Sequence, residues 1–121
     1  MLFKIICGSL DSMLNDICKK ENIARLNALD KCRGLMQSLS KTYFSGETPA
    51  AAYDDSSCRW AYVYTHVAVN ADLMKQALEE FESRDSTFSE VLIQDEIEIC
   101  AIGGGPGSEM LAFAKYYKEN R

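Results

Sequence analysis

Four glycines in five positions, Gly103, Gly104, Gly105 and Gly107 around Pro106, make the stretch of this chain best suited to hold a ligand. Glycine reaches backbone angles that residues with a Cβ avoid, and it lets a ligand lie directly against the main chain. The loop is entered from Ile97-Glu98-Ile99-Cys100-Ala101-Ile102 and left through Ser108-Glu109-Met110-Leu111-Ala112-Phe113-Ala114. Three ligand classes use such a turn, and spacing separates them. A phosphate-cradling P-loop needs a Lys directly after its last glycine, and here no Lys follows until Lys115. The dinucleotide fingerprint G-x-G-x-x-G, started at Gly103 and Gly105, puts its third glycine on Ser108. What remains is G-x-G-x-G, filled by Gly103, Gly105 and Gly107.

Apolar residues followed by G-x-G-x-G, here in the form GGGPG with an acidic residue after it, resemble the first motif of the class I S-adenosylmethionine-dependent methyltransferases. In that family the loop cradles the amino-acid part of the cofactor. The resemblance implies S-adenosyl-L-methionine as cofactor, with Gly103, Gly105 and Gly107 against it and Gly104 and Pro106 shaping the loop. It places Glu109 near the cofactor's amino group. Ala101 stands where many members carry an acidic residue. The resemblance covers about the last quarter of the chain and names no catalytic residue.

The same resemblance sets the expected fold. It is α/β: a helical region over 1–89, then over 90–121 the first strand-loop-helix unit of a Rossmann-like cofactor domain. The sheet is incomplete and the chain predominantly helical. The expected function is the N-terminal portion of a methyltransferase, with the later cofactor-holding and substrate-facing strands absent from these residues and the methyl acceptor unspecified. A protein partner covering the incomplete sheet is one consequence. The alternative is a non-catalytic helical interaction protein derived from a methyltransferase. A small nucleotide-binding protein is a third reading, opposed by Ser108 at the third glycine position.

A second candidate is the aromatic run Trp60, Tyr62 and Tyr64 with Arg59 and His66. Aromatic rings beside a cation can stack a flat ligand or a base. Strand alternation would set the three rings on one face. Plain core packing is the third option, and the one taken here, since Tyr and Trp bury large areas. The segment Cys58–Tyr64 also resembles, loosely, the helical region before the glycine motif in some methyltransferase-like proteins, where it covers one side of the cofactor pocket. His66 has the residue type of a general base, but no partner carboxylate is identifiable. It is read as a packed or surface histidine.

The elements that must position these residues are mostly helical. Leu10, Met13, Leu14, Ile17 and Cys18 step as one amphipathic face, with Ser9 as N-cap, Asp11 in the first turn and Lys19 and Lys20 at the end. A second helix over 23–43 carries Leu29, Cys32, Met36, Leu39 and Tyr43. The stretch 45–55 reads as a loop on Gly46 and Pro49, and Asp54, Asp55 and Ser56 offer caps for a third helix. Asn70 is the expected cap of a fourth, bearing Met74, Ala77, Leu78 and Phe81. Polar 82–90 reads as a linker, Ile97–Ile102 as a buried strand, and a last helix starts near Ser108 with Met110, Leu111, Ala114 and Tyr117 as its stripe.

Composition bounds the rest. The 121 residues fit one domain, and 47% hydrophobic with 26% charged residues describes a chain that folds. A net charge of −5 gives no strong nucleic-acid signal, because non-specific binding depends on Lys and Arg neutralising phosphates. Five scattered cysteines without a C-x-x-C pair and a single His argue against a metal site and for buried thiols in a reducing compartment. The apolar start, Met1–Leu10, lacks a cleavage pattern and reads as mature protein. No apolar run approaches the roughly 18 residues a bilayer span needs, so no membrane is expected and the location read is cytoplasmic or nuclear.

Overall fold

Leu10, Leu14 and Ile17 form the stripe that organises the first helix. The computed structural model describes residues 2–45, 52–102 and 105–120, with backbone only at 42–44 and 52. It places that stripe on α1, Phe3–Glu21, and extends it back to Ile6. The helix therefore begins before the expected cap, and Ser9 lies inside it; Leu2 and Ile6 are buried and carry the apolar face to the N-terminus. Asn22 ends the helix in the left-handed conformation (φ +52°), with its N–H directed at the Cys18 carbonyl. This is a cap asparagine tolerates well.

Helix α2, Arg25–Ser45, buries Ala28, Cys32 and Leu39. Leu29 and Met36 are half-buried, and the Tyr43 side chain lies outside the described residues. After a short 3-10 turn at Ala52–Asp54 comes α3, Ser56–Tyr62, capped as expected by an acidic side chain. The Asp55 carboxylate accepts from the N–H groups of Ser57 (2.6 Å) and Cys58 (3.2 Å). Helices α1, α2 and α3 pack on one another within the unit Met1–His66.

A π-helical turn, Val63–Val67, follows α3 and leads into α4, Ala68–Arg84. Within it the Thr65 hydroxyl donates to the Ala61 carbonyl at 2.7 Å, competing for an acceptor the backbone normally uses. Asn70 is not a cap, because the chain is already helical at Ala68. Nor is 82–90 a linker: α4 runs to Arg84, and Asp85 turns the chain into α5, Ser86–Leu92, by accepting from the Thr87 N–H (2.9 Å). Polar composition had suggested a loop, but Ser, Thr and Asp are also the residues that cap helices.

The last helix, α6, spans Ser108–Glu119. Its buried face is Ser108, Ala112 and Tyr116 rather than Met110, Leu111, Ala114 and Tyr117. Met110 is exposed, because α4 meets the other side of the helix. Ala71 on α4 and Ala112 on α6 are both fully buried, and such small residues let helices approach closely. Lys75 joins Glu119 (2.8 Å) to Glu79 (2.6 Å), tying α4 to α6 at the rim, while Lys115 adds a bond to Glu119. These helices with α5 belong to the unit Val67–Arg121.

The expected α/β class is corrected. Among the described residues there is no strand, and the architecture is all-helical. Residues 96–101 have no regular secondary structure and, among the described residues, no backbone bond to another segment, and a strand exists only where another segment supplies its ladder. Ile99 is 37% and Ile102 97% exposed, so the run is not a buried strand either. No Rossmann-like unit forms. Among the described residues no helix is long and apolar enough to cross a membrane.

Candidate functional site: the glycine loop and the start of α6

The loop's described part is Gly105, Pro106 and Gly107; Gly103 and Gly104 lie outside the described residues. Gly107 is the N-cap of α6 and sits at φ +92°. A Cβ there would meet nothing within 4 Å, so the glycine answers a backbone demand and not a lack of room. Its carbonyl accepts the first helical bond, from the Leu111 N–H at 3.0 Å. Among the described residues no side chain caps this end. The first N–H groups of α6, which have no side-chain partner among the described residues, stand with the positive end of the helix dipole beside an exposed loop.

Ser108, expected as the cap, is the first residue of the helix instead. It is buried, and its hydroxyl donates to Glu109 Oε2 at 3.2 Å. Glu109 is half-buried in the first turn, where a carboxylate suits the dipole. The structure therefore brings Gly105, Pro106, Gly107 and Glu109 together at one helix end, with Ser108 orienting the glutamate.

The aromatic run is helical, which removes the one-face strand arrangement. Trp60 and Tyr64, four residues apart, stack at 5.2 Å and 10°, and Phe3 meets Tyr64 edge-on at 5.5 Å. Trp60 is 7% exposed, and its indole N–H donates to the Leu10 carbonyl at 2.8 Å. Tyr62 turns the other way, to Tyr53 and His66. These rings pack the first unit. Burial pushes the His66 pKa below its ordinary value.

Cys32 and Cys58 are buried and burial pushes both thiols up, which makes them less nucleophilic. All five cysteines are free, and among the described residues no three His, Cys, Asp or Glu side chains converge as metal ligands.

Sequence reasoning missed one polar cluster in the second unit. Tyr116 is fully buried and its hydroxyl donates to Glu82, whose other oxygen accepts from Ser89 at 3.3 Å. The spacing of Ser108, Ala112 and Tyr116 was a signal for that face, but the larger apolar residues at Met110 and Leu111 outweighed it. Comparison with known proteins adds nothing to these geometric findings: no family model, no curated protein and no solved structure matches the chain.

Proposed function

We propose that this chain carries the S-adenosyl-L-methionine loop of a methyltransferase, as the N-terminal portion of that enzyme. The observation that supports it is the left-handed Gly107 opening directly onto a helix end without a side-chain cap. The cofactor's amino-acid part bears a carboxylate and an ammonium group. The N–H donors at the start of α6 suit the carboxylate, and Glu109 suits the ammonium. Gly105 and Gly107 let both lie against the main chain. The methyl group is activated by its own sulfonium, so the protein's task is alignment of acceptor, methyl carbon and sulfur. No residue of this chain is assigned to the transfer itself, and the acceptor is left open.

Isothermal titration with S-adenosylhomocysteine tests the reading, with circular dichroism to verify folding. Saturable binding is expected for the wild type, with at least tenfold weakening in Gly105→Val. Wild-type protein that binds nothing, or a variant that binds equally well, overturns it. Failure would favour the alternative, a non-catalytic helical interaction protein.

A further inference from the structure

We propose that segment 96–101, which has no regular secondary structure, is a docking edge for a basic, alternating, extended peptide of another protein, independently of any cofactor at the glycine loop. Its sequence alternates Glu96, Ile97, Glu98, Ile99. Ile97 and Ile99 line an open groove of about 220 Å³ against Phe113 and Tyr117 of α6, while Glu96 and Glu98 are exposed. One face of the segment is thus apolar and turned toward a helix, and the other is acidic and wet. Its backbone is the unusual feature. Among the described residues, no backbone hydrogen bond joins 95–102 to any other segment. An alternating, β-branched run whose N–H and C=O groups bond to no other described segment is a template for strand addition, in which main-chain bonds supply affinity and alternate side chains supply selection.

The groove and the charges specify the occupant. Apolar residues at every second position would enter the groove beside Phe113 and Tyr117. Lys or Arg at the intervening positions would stand across from Glu96 and Glu98, a favourable cross-strand pairing. A second copy of this chain fits less well. Antiparallel self-pairing centred on Ile97 sets Glu96 opposite Glu98, parallel pairing sets like against like, and each copy carries a net charge of −5.

The test is amide hydrogen exchange of the full chain with the peptide Lys-Val-Lys-Val-Lys-Val as probe, and Glu-Val-Glu-Val-Glu-Val as control. The expected result is at least tenfold slower exchange at alternate amides within 96–101 with the basic peptide only. Ile99→Pro removes a backbone donor outside any helix and should abolish the protection while the helical circular dichroism is kept. Absence of protection, equal protection by the acidic peptide, or protection that survives Ile99→Pro overturns the proposal. So does concentration-dependent dimerisation that protects the same amides without peptide, since the occupant is then a second copy.

Discussion

Replacing Trp60 is the sharpest test of the packing described for the first unit. The ring is 7% exposed, stacks on Tyr64, and bonds to the Leu10 carbonyl at 2.8 Å. Trp60→Ala removes all three interactions and leaves a cavity, a change that costs roughly 3–5 kcal/mol at buried aromatic sites. Trp60→Phe keeps a ring and forfeits the N–H bond, about 1 kcal/mol. Leu10 lies well inside α1, so its carbonyl retains the intrahelical acceptor role and no orphan adds to the Phe variant's loss. In a unit of this size 1 kcal/mol shifts the midpoint by roughly 4–8 °C. Thermal unfolding followed by circular dichroism should therefore rank wild type above Trp60→Phe by several degrees, and Trp60→Ala far below both. Ile102→Ser is the matched control, since Ile102 is 97% exposed and should change stability by no more than about 0.5 kcal/mol. A Trp60→Ala midpoint within about 2 °C of wild type would refute the reasoning. So would an Ile102→Ser loss as large as that of Trp60→Ala.

Three further outcomes are expected. Asp55→Ala removes the cap of α3 and should cost about 1 kcal/mol in urea unfolding. Partial burial works against the Asp55 charge, but the Ser57 and Cys58 N–H groups and Lys31 outweigh it and hold the carboxyl below its usual 3.8. The depressed value fixes the sign: the stabilisation is present above about pH 3.8 and is lost as pH falls through the lower folded value, and Asp55→Ala should flatten that acid limb. Glycine substitutions should go in opposite directions: Gly107→Ala, at φ +92°, destabilises by about 1–2 kcal/mol, whereas Gly34→Ala, inside α2 with open space, stabilises by up to about 1 kcal/mol. Lys115 and Lys75 hold the Glu119 carboxyl at about 2, so the tie between α4 and α6 should weaken as pH drops from 4.5 toward 2. Nuclear magnetic resonance titration of Glu119 checks it, and high salt should reduce the shift because the group is at the surface.

The parts of the fold written in local sequence were legible: the α1 stripe, most of α2, the Asp55 cap, and a helix beginning at Ser108. Helical periodicity and capping chemistry act within a few residues, so one chain segment contains the whole signal. The errors fell where that signal was ambiguous. Polar 82–90 had the composition of a linker and the chemistry of a helix junction at Asp85. At the glycine loop the residue types were legible and the role of Ser108 was not, because Gly107 takes the cap position.

What the sequence by itself determined is which segments prefer helix and where a Cβ-free turn stands. Both follow from covalent geometry and neighbours in the chain. What only the tertiary structure decided is which face of α6 is buried and whether 96–101 becomes a strand. Ser108, Ala112 and Tyr116 are inside because α4 packs against that side of α6. The β-branched run forms no strand because a ladder needs a second segment beside it, and among the described residues none bonds to it. Strand propensity is a property of residues, but a strand is a property of two chain segments held side by side.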